Sequence, residues 1–471
     1  MTGRSVIGFC TTCKGRTQHL EQTLPRNLSD NPGPDCRFVL LDYNSGDHLA
    51  HAVAWHHRHA IAVGRLIVYS FRDPGPFRMA HSKNMAHRLA MREGCEILCN
   101  LDADAFTGGG FSEWIQDQFA QYGRHSLLQA MWNRWLTRDV DGKPVTEWVA
   151  QAPDGTVGAP IPKGANGRIV MTSDAFLKAG GYDERINKWG PDDKDLTVRL
   201  RRLGYQPQLI ERRFLGTILH NDKVRYREYP EAAETKAYGF DLKVGDSPDT
   251  IANWGALGCG TVYRNFDFHD PVVLAPIPTR IFGIGMHKTA TTSLHRALRT
   301  LGLDSAHWTT AHWAKACWTE MKELGRSPSI ERHYCASDLP IALLYRELDR
   351  AYPGSLFILT IRHEATWIES VRRHWDPASN PFRGQWDHDP FTHRVHQELY
   401  GTRAFDAGRM LERYRRHNAE VLDYFRARPR DLLVMDMDNG AGWPQLCGRL
   451  GEPIPSSPYP WEFANNPKEN P

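Results

Sequence analysis

Apolar and polar positions along the chain fall into repeated strand–turn–helix units. A short apolar run enters a polar turn in SVIGFCTTCKGR (residues 5–16), and the same happens in TRIFGIGMHKTATTSL (residues 279–294). Each reads as the first strand of an α/β domain. Buried-strand runs at residues 38–41 and 97–101 follow the first, and runs at 356–361 and 432–435 follow the second, with helical periodicity between them. That alternation predicts sheets that are mostly parallel. Periodicity lapses over residues 240–279, where glycine and proline gather up to Pro276 and Pro278, the mark of a semi-rigid connector. The expected organisation is a domain over 1–240, a linker over 241–278 and a second domain over 279–471, with the change of domain near residue 275. The tail after Pro453 reads as surface coil.

The length of 471 residues suits two or three domains at roughly 150 residues each. Hydrophobic residues at 41% and charged residues at 24% exclude a disordered or fibrous chain. A net charge of +3 gives no reason to expect a nucleic-acid partner, although local basic clusters can hold anions. There is no apolar run near the ~18 residues of a membrane span, and the start has no secretory core. A cytoplasmic protein, at most peripheral to a membrane, is expected. Nine scattered cysteines, an odd number, fit a reducing compartment better than a disulfide framework. Cys10 and Cys13 with Cys95 and Cys99 have poor spacing for zinc.

The strongest local signal in the first half is Asn100-Leu-Asp102-Ala-Asp104 at a strand end, where two carboxylates emerge into one crevice and a divalent cation bridges them to a diphosphate. A solvated turn explains most lone D-x-D pairs. Downstream, Asp192, Asp193 and Asp195 crowd one helix N-terminus. Capping accounts for acidic residues there, but three within four residues exceed what a cap needs, and such a carboxylate can accept the proton of an attacking hydroxyl.

These pieces stand in the order GFCTTCKGRTQHLEQTLP, FVLLDYNSGD, FRMAHSKNMA, NLDAD, WGPDDKDL and LHNDK, over about residues 5–230. Together they resemble the family 2 glycosyltransferases and the related C-terminal motif of β-1,4-galactosyltransferases. The resemblance implies a GT-A fold, α/β with a Rossmann-like mixed sheet, and a nucleotide-sugar donor such as a UDP-sugar. It implies that Asp102 and Asp104, completed by His220, hold Mn2+ or Mg2+, and that Asp193 is the base of an inverting transfer. Thr11, Arg16, Asp42 and Asp102 fall where the nucleotide is held. Asp192 stands where glutamate is frequent, which shortens the reach of that carboxylate.

In the second half, Gly285, His287, Lys288, Thr289, Ala290, Thr291, Thr292 and Ser293 lie between a strand and a helix. Backbone N–H groups in such a turn form an anion cradle. The Gly-Lys-Ser/Thr of a Walker A loop is missing at the required distance, which disfavours a kinase or NTPase. The run resembles the 5'-phosphosulfate loop of sulfotransferases, K/R-[ST]-G-T-[ST]-x-L, with Ala290 where glycine is usual. Arg362 and, eight residues on, Ser370 match the pair that grips the cofactor's 3'-phosphate, a task suited to a guanidinium. SDLPIALLYRELDRAYPGSLFILTIR and GAGWPQLCGRLGEPIPSSPYP extend the likeness over about residues 280–460. It implies a P-loop-like α/β domain with a central parallel sheet that takes 3'-phosphoadenosine-5'-phosphosulfate, with Lys288 stabilising the transferred group. Asp338 is the first candidate for the acceptor base, ahead of His307 and His287; a turn cap is its plain alternative. The two halves together imply a bifunctional enzyme that adds a sugar and a sulfuryl group to a glycan or glycoconjugate. The alternative is a sulfotransferase with a degenerate glycan-binding N-terminal module, against which Asp102, Asp104 and Asp193 argue.

Overall fold

A computed structural model describes residues 4–73, 75–162, 164–186, 191–219, 251–253, 256–308, 310–379, 389–452 and 454–461. The chain divides into two compact units, Met1–Pro276 and Ile277–Pro471. The strands of the first are β1 (Ile7–Cys13), β2 (Cys36–Tyr43), β3 (Leu66–Phe71), β4 (Ile97–Asn100), β5 (Ala105–Phe106), β6 (Ser126–Gln129) and β7 (Trp132–Val140). They continue with β8 (Lys143–Gln151), β9 (Val157–Gly158), β10 (Ile169–Thr172), β11 (Gln206–Leu209), β12 (Gly216–Thr217), β13 (Gly260–Arg264) and β14 (Pro271–Leu274).

Nine of these make one sheet in the order β11-β6-β10-β4-β1-β2-β3-β13-β14. The pairs β1–β2, β2–β3, β1–β4 and β6–β11 are parallel, while β10 and β13 run antiparallel to both neighbours, so the sheet is mixed. The central strands are near-continuous apolar runs because both faces are covered; β3 and β4 are buried at every position. Such an arrangement sends Thr12, Asp42 and Asp102 to the carboxyl ends of adjacent parallel strands, where ligands of α/β sheets bind.

The expected connector over 241–278 is corrected in its second half. β13 and β14 lie within it and belong to the first unit's sheet, with Val262 opposite Phe71 and the Asn265 side chain accepting from the Val68 N–H at 2.9 Å. Two strands of five and four residues are too short for periodicity to register.

The second unit carries β15 (Ile281–Gly283), β16 (Ser305–His307), β17 (Cys335–Ser337), β18 (Leu356–Ile361) and β19 (Leu432–Asp436) in the order β16-β17-β15-β18-β19, all parallel. Helices Thr291–Thr300, Glu364–Trp375 and Ala407–Tyr424 accompany this sheet. Trp367, wholly buried, stacks on Tyr414 at 4.2 Å and joins the last two helices. Among the described residues no helix is long and apolar enough to cross a membrane.

Candidate active sites

In the first unit a cavity of about 260 Å³ is lined by Thr12, Arg16, Lys83, Asp102, Asp104, Asp192 and Asp193, with Trp132 and Gly167 among its other walls. Asp102 follows β4, and Asn100 fixes it by donating from its side-chain amide to Asp102 Oδ1 at 3.2 Å and to the Gly167 carbonyl at 2.9 Å. A β-carbon on Gly167 would lie 2.7 Å from Asp102 Oδ2 and 3.1 Å from Asp193 Oδ2. Two carboxylates distant in sequence therefore converge on a backbone position that has room only for glycine.

Asp193 is at the start of the helix Asp192–Arg202, and its other oxygen accepts from Lys83 Nζ at 2.6 Å; Asp192 accepts from the same ammonium at 2.7 Å. Lys83 is on the helix Met79–Arg92 and is buried. Burial works to discharge it, but Asp192 and Asp193 outweigh that and raise its pKa well above the ordinary value. Burial raises Asp193 to about 7 against the pull of Lys83, helped by Asp192 and Asp102. Burial likewise raises Asp102, with Asp104 adding to it and Lys83 opposing.

Asp104 faces Arg16 at 3.7 Å. The Asp104 carbonyl accepts from the Ile218 N–H at 2.8 Å, which ties the end of the β5–β12 pair to the D-x-D turn. The hard oxygen donors of Asp102 and Asp104 fit Mn2+ or Mg2+. Among the described residues no three histidine, cysteine or acidic side chains are grouped to hold a metal; His220, the expected third ligand, lies outside the described residues.

Thr11 is buried within β1, and its neighbour Thr12 reaches the cavity wall instead. Asp42 closes the turn after β2 by accepting from the Ser45 N–H at 2.9 Å and does not line the cavity. Sequence reasoning missed the role of Lys83. Its trace was a polar run, His81 to Asn84, set between apolar pairs on one helix and buried throughout.

In the second unit the turn between β15 and the helix Thr291–Thr300 is held by hydroxyls. Thr289 Oγ1 lies 2.6 Å from the Met286 carbonyl and 2.7 Å from Thr360 Oγ1 on β18. A β-carbon on Gly285 would meet both threonine hydroxyls, that of Thr289 at 2.6 Å. Lys288 and Ala290 both adopt the left-handed backbone region, at φ +66° and +68°. This explains why glycine is usual at the position of Ala290: an L side chain is strained there. Thr291, Thr292 and Ser293 open the helix.

Arg362 stands beside the turn, its guanidinium 3.4 Å from the Lys288 carbonyl and 3.1 Å from Asp438. Ser370 is half-buried on the helix Glu364–Trp375. Asp338, also left-handed at φ +72°, pairs with His307 at 3.4 Å, and His307 Nε2 is 3.0 Å from Thr291 Oγ1. Burial lowers the Lys288 pKa, Asp338 opposes, and Arg362 and Arg373 add to the lowering. Asp338, His307 and Lys288 thus gather at the turn. The His287 side chain points elsewhere: it bonds the Tyr400 hydroxyl, packs near Trp367 and Trp375, and is held neutral by burial.

Residues 280–468 match the family model described as a sulfotransferase domain, and residues 153–222 match the one described as the N-terminal domain of galactosyltransferase. The chain joins a glycosyltransferase-type domain to a sulfotransferase domain. The sulfotransferase match contains Lys288, His307, Asp338 and Arg362; the glycosyltransferase-type match contains Gly167 and Asp193 and begins beyond Asp102.

Similar solved structures include the mannosyltransferase PcManGT of Pyrobaculum calidifontis in complex with GDP-Man and Mn2+, at 17% identity and a TM-score of 0.31. That likeness covers 44% of this chain, which spans 55% of the mannosyltransferase. Residues 1–349 of TarS from S. aureus are similar at 12% identity and a TM-score of 0.31, over 51% of this chain and 75% of that one. No curated protein matches the chain.

Proposed function

We propose that the glycosyltransferase-type domain transfers a sugar, with inversion, from a nucleotide-sugar such as a UDP-sugar, and that the sulfotransferase domain transfers a sulfuryl group from 3'-phosphoadenosine-5'-phosphosulfate. A glycan or glycoconjugate hydroxyl is the acceptor of both. The observation that carries the reading is the convergence of Asp102 and Asp193 around Gly167, in a cavity that also holds the cations Lys83 and Arg16. Carboxylates for a metal and a base, with cations for a diphosphate, are the set that glycosyl transfer needs.

Asp193 takes the proton of the acceptor hydroxyl as its oxygen bonds to the anomeric carbon and the bond to the nucleoside diphosphate breaks. Asp192 and Lys83 position that carboxylate. Asp102 and Asp104, with His220, would hold Mn2+ or Mg2+, which would neutralise charge on the departing diphosphate.

In the sulfotransferase domain the acceptor oxygen bonds to sulfur as the bond from sulfur to the 5'-phosphate breaks, leaving 3'-phosphoadenosine-5'-phosphate. The Asp338–His307 pair receives the hydroxyl proton, His307 at the acceptor and Asp338 orienting it. Lys288 and the backbone of the turn stabilise charge on the leaving phosphate, and Arg362 with Ser370 holds the 3'-phosphate. A reducing, cytoplasmic setting is part of this reading, supported by nine free cysteines.

Calorimetric titration with uridine diphosphate plus Mn2+, and separately with 3'-phosphoadenosine-5'-phosphate, tests both halves. Binding of each is expected, with the uridine ligand released on chelation of the metal. Failure of 3'-phosphoadenosine-5'-phosphate to bind overturns the sulfotransferase half; failure of uridine diphosphate, repeated with guanosine and cytidine diphosphates, overturns the sugar-transfer half.

A further inference from the structure

β7 and β8 form a ribbon of nine antiparallel pairs, from Trp132 opposite Gln151 to Val140 opposite Lys143. Its base is fixed. Asn133 donates to the Ile161 carbonyl at 2.8 Å and accepts from the Ile161 N–H at 3.0 Å, Val149 and Ala150 are buried, and Trp132 lines the cavity containing Asp102 and Asp193. The rest is bare: residues 137–148 are all exposed, and so are Arg134 and Trp135. A two-stranded ribbon without cover is marginal in water, so its length asks for an occupant.

Strand alternation divides the ribbon into two unlike faces. Trp132, Arg134, Leu136 and Arg138 share one face with Lys143 and Glu147, as the cross-strand register requires, and the bond from Arg134 to Gln151 lies on it. That face carries three cations against one carboxylate and is continuous with the cavity wall at Trp132. The opposite face carries the Trp135–Trp148 pair, at 5.1 Å, and no cation.

We infer that the Trp132 face of the ribbon is a docking surface for an anionic glycan, which it holds while the chain end enters the sugar-transfer cavity. The inference rests on the sugar-transfer and sulfuryl-transfer readings above, with sulfate already on the chain that enters the cavity. Its occupant follows from charge: an acceptor that the sulfotransferase domain modifies carries sulfate esters, and the arginines meet them while Trp132 and Leu136 offer apolar contact to sugar rings. The same complementarity makes binding weaken with salt.

The test is calorimetry on the full chain with a chondroitin sulfate hexasaccharide and, as the neutral probe, maltohexaose. The sulfated probe should bind and the neutral one should not. Arg134→Ala/Arg138→Ala should weaken the sulfated probe at least tenfold and flatten its salt dependence, whereas Trp135→Ala/Trp148→Ala should change it less than twofold. Thermal unfolding of both variants confirms that they are folded; their sites are exposed.

The inference is overturned if the sulfated probe does not bind, if the arginine variant binds as the wild type does, or if the tryptophan pair carries the loss. Uridine diphosphate plus Mn2+, titrated into the same wild-type sample, separates the two levels. Nucleotide binding without hexasaccharide binding removes the docking surface and leaves the sugar-transfer reading standing, while absence of binding by uridine, guanosine and cytidine diphosphates alike removes the reading beneath it.

Discussion

Gly167 is the residue on which the candidate sugar-transfer site closes, because the carboxylates of Asp102 and Asp193 both lie within about 3.1 Å of the point its β-carbon would occupy. Gly167→Ala should therefore displace at least one of them. A misplacement near 1 Å costs about 100-fold in rate, so the variant should lose about that factor in kcat/KM for sugar transfer while sulfation of a supplied acceptor continues. Unchanged sugar transfer would show that the two carboxylates do not act at one point.

At this scale the sequence was partly legible. Asp102, Asp104 and Asp193 announced themselves because carboxylates at strand and helix ends stand out against apolar runs. Thr11 and Thr12 show where reading fails: adjacent residues on a strand face opposite ways, so an error of one position exchanges a buried hydroxyl for a cavity-lining one. Lys83 stayed hidden because its partners, Asp192 and Asp193, are over a hundred positions away.

Among the elements, the turn from β15 to the helix Thr291–Thr300 is notable for holding two non-glycine residues in the left-handed region. Such strain persists where surrounding bonds over-determine the backbone, and here the Thr289–Thr360 contact and the Arg362 contact to the Lys288 carbonyl do so. Ala290→Gly should relieve about 1–2 kcal/mol, less the 0.4–1 kcal/mol lost to a freer unfolded chain. A net gain of about 0.5–1 kcal/mol is expected in urea unfolding of the second unit, and a loss would contradict the backbone conformation at Ala290. The turn was legible because glycines, a lysine and hydroxyls punctuate it. The three-residue strands β16 and β17 were not, since three positions define no period.

For the whole molecule, buried histidines lower stability in acid, while Asp193, raised to about 7 by burial, works the opposite way in the first unit. His87 in the first unit and His417 in the second are wholly buried, and burial lowers each to about 4. An unfolded histidine titrates near 6.5. Between those values the unfolded chain binds protons at these two histidines that the folded chain refuses, so the stability each contributes falls as pH drops from about 6.5 to about 4. At pH 5 each group should have cost about 2 kcal/mol. Urea unfolding at pH 7 and pH 5 measures the loss, and His417→Phe should remove its share from the second unit. A His417→Phe chain that loses as much as the wild type would place the acid response elsewhere.

The position of β13 also decides where the chain tolerates being cut. All six residues of β3 are buried, and β13 is the neighbour that covers its outer side. A chain ended at residue 240 has its D-x-D and Asp193 intact but leaves the backbone groups of β3 as an open template for another molecule's strand. It should self-associate on sedimentation, whereas a chain ended at residue 276 keeps that border sealed and should sediment as a single species.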